Sequence, residues 1–524
     1  MRPKFLFNVI MILLLIIYPV SGWTAERVIE KTDGTVISVL TDYEREDVIR
    51  VTGSQLTEED WAELRKMWSV EYHLILDNGQ REIPDMALST NGMLPSPVIS
   101  ITGAQVISIG SLAFANNNYL MSTDFPALES ISEMAFFSCF SLQEFELPKS
   151  MNILEDGVFA MCKRLESISV ADECDRYKSI DGVVYSADGK TLCAYPAGKK
   201  QREYVSDALE IRPFSFYGAE NLVRVSLTSA VTIGNGTFVM CEFLSGVELP
   251  EGLKAIGHGV FDSCLSLSAI TLPASLEWIG DGAFSYCERL RSISMPQGSA
   301  HFESIDGVLY SSDGEILYAY PADRRNTHYI SNAKEIRPYA FMYTGNLQEV
   351  SLPDAATIGE GAFAWCSSLT VALLPSAVSL GNGTFAWCSS LKLMMLKNQA
   401  PVIEPKTFTS DETSFLIVAP REEIEYNLES WPSGVRLASL RGAALGPVTV
   451  KQGEKLTFSL DIEGAAEYRW KKDGVTIDGA NGVTYEKPEA DLSDSGTYGV
   501  AFKYDMGSGP VDFEVNSIEV VVVP

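Results

Sequence analysis

Seven of the nine cysteines stand at the same place in a short recurring phrase, as in AFAWCSSL (362–369) and TFAWCSSL (384–391). A thiol can act as a nucleophile, a zinc ligand, half of a disulfide, or a small buried side chain. The spacing of the phrase decides between these roles. The seven residues are Cys139, Cys162, Cys241, Cys264, Cys287, Cys366 and Cys388.

The phrase belongs to a longer pattern, I-G-x-x-[AVT]-F-x-x-C-x-x-L-x-x-I-x-L-P, which returns every 22 or 23 residues. A period of this length is typical of a solenoid, in which each coil stacks on the one before it. The L-x-x-I-x-L part alternates as a short strand does when one face is buried. The phenylalanine of each copy should form a continuous stack through the core.

This pattern resembles the leucine-rich repeats of the bacterial surface protein A-like (BspA-like) family over roughly residues 100–400. The resemblance implies a mainly β solenoid with short parallel strands, and a role in adhesion to host extracellular proteins or to other cells. We therefore predict a leucine-rich-repeat solenoid over residues 101–440, without enzymatic activity.

A larger unit is also duplicated. The segment that begins Ser179-Ile180-Asp181-Gly182 recurs 125 residues later as Ser304-Ile305-Asp306-Gly307. Each copy predicts two strands around an Asp-Gly turn, at Asp188-Gly189 and Asp313-Gly314. A block of coils with an inserted β-hairpin is therefore present twice.

The repeat favours a structural role for the seven cysteines. Other coils hold Asn117, Ala219 or Thr344 in the same slot, and a catalytic thiol does not need seven copies. Zinc needs four converging ligands, whereas a solenoid slot gives a row of side chains about 4.8 Å apart. We expect a buried thiol ladder without metal or cofactor. Cys174 and Cys193 lie outside the slot and are absent together from the second block, which fits either a local disulfide or two independent small residues.

The N-terminal region does not follow the period. Residues 1–22 have the basic start and short apolar run of a signal peptide, with cleavage as late as residue 25 as the alternative. Residues 26–100 predict a capping unit for the solenoid. Thr57 and Asp60 indicate a helix start whose apolar face carries Trp61, Leu64 and Trp68. The predicted strands are Ile37–Leu40, Val48–Val51 and His73–Leu76.

Residues 441–524 change character. Trp470 followed by Lys-Lys-Asp-Gly, and then Asp494-x-Gly496-x-Tyr498, resembles an immunoglobulin-like β-sandwich with its central tryptophan and tyrosine corner. Leu460 and Val500 stand where that fold usually carries a disulfide. The resemblance implies a spacer or adhesion module held together by its apolar core alone.

The net charge of −29 makes nucleic acid an unsuitable partner, because nucleic-acid binding needs clustered Lys and Arg. The mature chain contains no second apolar run, so we predict no transmembrane segment. The expected location is outside the cytoplasm: extracellular, at the cell surface, or periplasmic. The four histidines are scattered and no catalytic motif is recognisable.

Two candidate surfaces follow from the repeat. The outward strand positions are mostly Ser, Thr and Glu, but they become apolar at Val371, Leu373, Leu393 and Met395. This patch is a candidate binding site, unless residues 400–440 or the C-terminal domain cover it. The position before the slot carries aromatic residues in the second half, at Tyr286, Tyr343, Trp365 and Trp387. That stripe either binds a ligand or packs one turn against the next.

We therefore expect a secreted or cell-surface protein that binds a host or bacterial protein or glycoprotein through its extended repeat surface. The first alternative is a glycan-binding accessory protein that uses the aromatic stripe. The second alternative is a purely structural surface protein.

Overall fold

The structure is a computed structural model. It describes residues 26–32, 47–66, 71–90, 98–396, 401–404, 406–408, 415–420, 435–444, 448–506 and 509–524. The predicted signal peptide, the predicted strand Ile37–Leu40 and Trp68 lie outside the described residues.

The described residues are almost entirely short strands. The N-terminal part contains β1 (Glu26–Lys31), β2 (Asp47–Gly53), α1 (Glu58–Arg65), β3 (Tyr72–Leu76), β4 (Glu82–Ile83), β5 (Val98–Thr102), β6 (Ser108–Ile109), β7 (Ser122–Asp124), β8 (Ser130–Ile131), β9 (Glu144–Leu147), β10 (Ile153–Leu154) and β11 (Ser167–Val170). The first duplicated block continues with β12 (Tyr177–Ile180), β13 (Val183–Ser186), β14 (Thr191–Ala194), β15 (Glu203–Ser206), β16 (Glu210–Ile211), β17 (Arg224–Leu227), β18 (Thr232–Ile233), β19 (Gly246–Glu248), β20 (Ala255–Ile256), β21 (Ala269–Thr271), β22 (Trp278–Ile279) and β23 (Ser292–Ser294).

The second block follows with β24 (Phe302–Ile305), β25 (Val308–Ser311), β26 (Ile316–Ala319), β27 (His328–Ile330), β28 (Glu335–Ile336), β29 (Glu349–Ser351), β30 (Thr357–Ile358), β31 (Val371–Leu373), β32 (Ser379–Leu380), β33 (Leu393–Met395) and β34 (Val402–Ile403). The C-terminal part contains β35 (Leu416–Pro420), β36 (Arg436–Ala444), β37 (Val448–Lys451), β38 (Leu456–Ile462), β39 (Ala466–Lys472), β40 (Val475–Thr476), β41 (Thr484–Lys487), β42 (Gly496–Asp505) and β43 (Pro510–Val523).

In the N-terminal region β1, β2 and β3 form one parallel sheet with β5 and β7, and the helix begins where the sequence predicts. The side chains of Thr57 and Asp60 form the expected capping box, and Trp61 and Leu64 are buried. The Lys31 ammonium lies 2.8 Å from the Asp60 carboxylate in a buried ion pair, which joins β1 to the helix. The predicted strands Val48–Val51 and His73–Leu76 are confirmed within β2 and β3.

Each repeat contributes two parallel strands to the solenoid. The I-G positions form two-residue strands that pair from coil to coil, as β16, β18, β20 and β22 do. The L-x-x-I-x-L positions form a longer strand with alternating burial, such as β9 and β17. Because every coil places the same apolar residues inward, the stack buries one continuous core.

The repeat phenylalanines run through this core as the sequence predicts. They are buried in all the coils, and neighbouring rings stack at 4.9 Å for Phe114 and Phe136 and 5.3 Å for Phe363 and Phe385. Ring stacking between coils adds to the area that each ring buries. The predicted leucine-rich-repeat solenoid is confirmed.

The duplicated hairpins interrupt the stack at equivalent places. In the first block β13 and β14 flank the predicted Asp-Gly turn, where Gly189 has a φ of +78°. β12 adds a third antiparallel strand, and β14 then pairs in parallel with β16. The second block repeats this arrangement with β24, β25, β26 and β28.

An arginine in each block ties the coils before and after the hairpin together. The Nε of Arg212 donates to the Asp156 carboxylate at 2.7 Å, and Arg337 does the same to Asp281 at 2.9 Å. Each contact joins residues 56 positions apart, so it holds the solenoid continuous across the insertion.

The C-terminal part is a two-sheet β domain joined to the solenoid. β36 pairs in parallel with the last solenoid strand, β35, and antiparallel with β38, so the repeat sheet runs on into the domain. The second sheet has the order β37-β43-β42-β39-β40. Trp470 is buried between the sheets and its indole N–H donates to the Gly482 carbonyl at 2.8 Å. Leu460 and Val500 are buried as well, and the immunoglobulin-like assignment stays a prediction.

Candidate functional site

The cysteine slot is a buried row with one shared contact. Each of the seven thiols lies 3.0–3.3 Å from the carbonyl oxygen of the phenylalanine one coil earlier, as Cys264 does to Phe238 and Cys388 to Phe363. Asn117 supplies an amide donor in the same slot, 2.7 Å from the Leu88 carbonyl. The slot side chain therefore adds a second donor to a buried carbonyl that already accepts a backbone N–H, as the Phe238 carbonyl does from Cys241.

For five of the seven thiols, burial raises the pKa. Burial raises the pKa of Cys241 to about 12, so at neutral pH its sulfur donates a hydrogen bond and is not a thiolate nucleophile. Among the described residues, no group of three or more His, Cys, Asp and Glu side chains is arranged to hold a metal ion.

Cys174 and Cys193 are both buried free thiols in this structure. The Cys174 sulfur lies 3.6 Å from the Met151 carbonyl oxygen, and the Cys193 sulfur lies 3.7 Å from that of Thr191. The disulfide considered from the sequence is therefore not formed here. Two independent small residues, which the sequence left open, describe the observed geometry.

The apolar patch at the end of the repeat sheet is covered. Val371, Leu373, Leu393 and Met395 are 0–6% exposed and belong to the same apolar cluster as Phe458, Trp470 and Val515 of the C-terminal domain. Covering by the C-terminal domain is the alternative that the sequence left open, and the covering strands follow more than 50 residues later in the chain. The prediction that these four residues form a binding patch is therefore wrong: their side chains are internal packing and do not face a partner.

The polar edge of the covered face contains a buried carboxylate. Glu349 is 2% exposed, and its oxygens accept the backbone N–H of Asn516 on β43 at 2.8 and 3.1 Å. His328 Nε2 lies 3.8 Å from Glu349, and Glu514 lies close to the same histidine. Burial, together with the charge of Glu514, raises the pKa of Glu349 to about 8. The carboxyl group thus holds the domain to the sheet.

The aromatic stripe packs against itself. The rings of Trp365 and Trp387 stack at 4.9 Å, and those of Tyr286 and Tyr343 lie 5.0 Å apart. All four residues have φ between +54° and +66°, a left-handed conformation shared by the same turn position in other coils, such as Met240. Trp365 and Trp387 remain 38% and 52% exposed at their edges. The Trp365 and Trp387 planes lie within 15° of each other, so each ring covers one face of the other, whereas the Tyr286 and Tyr343 rings are tilted by 43°.

The open part of the repeat sheet carries a groove that the sequence analysis did not single out. The outward side chains of β15, β17, β19 and β21 line a cavity of about 460 Å³ between the two hairpins in chain order. Gly246 and Ala269 leave room at its floor, while Glu203, Arg224 and Glu248 are exposed around it. The signal was the small residue at the outward position of two neighbouring repeats.

The groove is mainly acidic. Its single cation, Arg224, lies 3.5 Å from the Glu248 carboxylate, and Glu203 stands on the adjacent strand. The earlier strands β7 and β9, in other sheets of the solenoid, carry the further exposed acidic residues Asp124, Glu144 and Glu146. Exposed carboxylates of this kind attract positively charged groups. None of the helices in the described part of the chain is long and apolar enough to span a membrane.

The repeat part of the chain matches a known protein family. The model of the BspA type leucine rich repeat region matches in 6 copies, over residues 82–181, 209–312 and 326–427, which together exceed half of the chain. No curated protein is significantly similar to it.

Several solved leucine-rich-repeat structures are similar to this chain. The pneumococcal vaccine antigen PcpA is 20% identical, with 67% of this chain and 74% of that chain covered and a TM-score of 0.41. A leucine rich cell surface protein from Faecalibacterium prausnitzii is 21% identical, with 71% and 88% covered and a TM-score of 0.41. A leucine-rich repeat protein from Eubacterium ventriosum is 18% identical, with 69% and 87% covered and a TM-score of 0.40.

Proposed function

Because the chain belongs to the BspA-type leucine-rich repeat family, we propose that it is an exported, non-enzymatic protein that binds a protein partner through its open repeat sheet. The observation that carries the proposal is the 460 Å³ groove on β15, β17, β19 and β21. The corresponding strands of the second block are covered by the C-terminal domain, which leaves the strand face of the first block accessible. Export is supported by the basic and apolar N-terminal sequence.

A rigid solenoid suits this function for a physical reason. Its outward positions lie on parallel strands whose spacing is set by backbone hydrogen bonds, so the side chains are preorganised before a partner arrives. Little conformational entropy is then lost on binding. An extended row of such positions lets many weak contacts add together.

Glycan binding by the aromatic stripe is less well supported by the geometry. A sugar stacks on an exposed ring face, but one face of Trp365 and one face of Trp387 already lie against each other. A purely structural role is the remaining alternative, and the binding experiment separates it from the proposal.

The test compares the mature protein with a variant in which the groove is filled. Gly246→Tyr combined with Ala269→Tyr adds bulk at outward positions, and the Cβ added at Gly246 would meet only the flexible side chain of Arg224, at 3.4 Å. Ser122→Tyr, on exposed β7 outside the groove, is the matched control. All three proteins are applied to immobilised extracellular glycoproteins and to a glycan panel.

We expect the parent and the control to bind a protein on the panel and the filled variant to lose at least about tenfold in affinity, because filling the groove blocks a central contact. Equal binding by all three proteins would exclude the groove. Binding of glycans alone, reduced by Trp387→Ala, would favour the aromatic stripe. Absence of any binding would favour the structural role.

A further inference from the structure

The two duplicated blocks present the same four strand positions on their outward face. β15, β17, β19 and β21 of the first block correspond to β27, β29, β31 and β33 of the second. Three of the equivalent outward pairs are Glu203 and His328, Arg224 and Glu349, and Glu248 and Leu373. The backbone framework is thus repeated, while the chemistry of the face is changed.

The second block shows how this face receives a β-strand. β43 crosses over β27 and β29, and its Asn516 N–H donates to Glu349. On one side β43 pairs with β42, while β37 pairs only with its last residues, Val520–Val523. Asn516 precedes the stretch of β43 that pairs with β37. Its backbone N–H is accepted by the Glu349 side chain of the repeat sheet. An edge strand of this kind presents backbone N–H and C=O groups that can form hydrogen bonds with another segment.

The first block has the equivalent strands, but its polar side chain at this position is a hydrogen-bond donor instead of an acceptor. Arg224 stands where Glu349 stands in the second block, so it offers a donor to a backbone carbonyl in place of an acceptor for an N–H. Glu203 and Glu248 flank it and are exposed to a crossing segment. Small residues at 246 and 269 leave the floor open, where the second block has Val371 and Leu393.

These differences indicate which occupant fits. Docking of the chain's own C-terminal domain on this face would bury Glu203 and the Arg224–Glu248 ion pair, and the loss of their hydration opposes such docking. A segment with basic side chains instead pairs with Glu203 and Glu248, and the exposed acidic residues of β7 and β9 earlier in the solenoid add a longer-range attraction.

Building on the proposed function, we propose that the groove of the first block binds an extended, basic segment of a partner protein, laid across the strands as β43 is laid across the second block. Arg224 holds a backbone carbonyl of the segment, and Glu203 and Glu248 pair with its Lys or Arg side chains. The second groove is the intramolecular counterpart of this intermolecular site.

The experiment uses a fluorescein-labelled 12-residue peptide of alternating Lys and Thr as its probe, followed by anisotropy with the mature full-length protein at low salt. A peptide of alternating Glu and Thr is the charge control. The variants are Glu203→Gln with Glu248→Gln, Arg224→Met, and, as a charge-matched control away from the groove, Glu242→Gln with Glu251→Gln. Circular dichroism melting verifies that each variant is folded.

We expect the basic peptide to bind and the acidic one not to bind. The groove double variant should weaken binding by about tenfold, and the charge-matched control by less than about twofold. Arg224→Met should weaken binding by about fivefold, because the carbonyl contact is lost. This last result is decisive, since plain attraction between an acidic surface and a cationic peptide predicts tighter binding when a positive charge is removed.

Tighter binding by Arg224→Met, or equal losses in the groove and control double variants, would overturn the proposal. The outcomes also distinguish failure of this proposal from failure of the proposed function. If the peptide does not bind but the groove-filled variant still loses an extracellular glycoprotein, the groove is a binding site for a partner of other chemistry. If neither effect is seen, both proposals fail.

Discussion

The two duplicated blocks have the same interior and opposite exteriors. Inside, the hydroxyls of Tyr185 and Tyr204 meet at 2.6 Å, and those of Tyr310 and Tyr329 repeat this contact at the same distance. Outside, the first block exposes a polar groove, whereas the second block is covered by the C-terminal domain. Inward residues are held by the packing of every coil, while an outward residue is constrained only by whatever covers it.

The comparison also shows how a surface becomes an interface within one chain. Glu248 of the first block corresponds to Leu373 of the second, and Ala269 corresponds to Leu393. These two differences make the face of the second block apolar where that of the first block is solvated. The C-terminal domain then buries that face together with its own apolar core. One scaffold thus carries an internal docking site and an open groove.

The largest expected effect comes from exchanging these residues. Leu373→Glu places the residue of the first block into the buried face of the second, and we expect a loss of at least about 3 kcal/mol in the free energy of unfolding, because the new carboxylate has no partner there. Denaturant titration, with tryptophan fluorescence reporting on Trp470 in the C-terminal domain, measures the loss.

The reverse exchange is the control for this prediction. Glu248→Leu lies on the exposed face, so it should change the stability by less than about 0.5 kcal/mol. Similar losses in the two variants would mean that the two faces do not differ in burial, and the comparison between the blocks would fail.

A smaller effect is expected from pH. The pKa of Glu349 is raised to about 8, mainly by burial, so its protonated form stabilises the docked domain at low pH and this contribution is lost as the pH rises through 8. His328 on β27 and Glu514 on β43 are the ionisable groups that face it. Between pH 7 and pH 9 the stability should fall by about 1.4 kcal/mol from this group alone.

Thermal unfolding of the parent and of Glu349→Gln at these two pH values measures the effect. The glutamine keeps an oxygen that can accept the Asn516 N–H but does not ionise, so its stability should not show this fall. Glu144→Gln, at an exposed position of β9, should leave the pH dependence of the parent unchanged. A parent whose stability is equal at pH 7 and pH 9 would contradict the prediction.

The smallest effect should be the same in both blocks. Cys264→Ala and Cys388→Ala, at equivalent slots, each remove the donor to a buried phenylalanine carbonyl. We expect each to cost about 1 kcal/mol. Serine at either position keeps a donor and should cost less than alanine. Unequal losses in urea titrations of the two alanine variants would show that the blocks differ inside as well as outside.

Much of the fold could be predicted because the repeat states the same constraint many times. Leu and Ile at fixed offsets, Phe in each turn and Pro after the strand lead to one solution, a stack of coils, and the Asp-Gly turns specify the hairpins. The helix at Thr57 could be predicted from local capping chemistry, which depends only on residues three apart.

The site was less predictable, because it depends on what lies opposite a residue in space. Val371 and Leu373 occupy the same repeat positions as Gly246 and Glu248. Their apolar side chains indicate an interface, but they do not show whether a partner or a later part of the chain covers it. The residue that accepts the N–H of Asn516 is Glu349, 167 positions earlier in the chain.

The sequence by itself determined the coil, the inward core, the thiol slot and the duplicated block, because each depends on short-range pattern repeated from coil to coil. The tertiary structure alone decided that β36 continues the repeat sheet into the C-terminal domain, that β43 closes the second face, and that the first face stays open as a groove. The physical reason is range: inward packing is set by adjacent coils, whereas coverage of the outward face is set by strands far away in the chain.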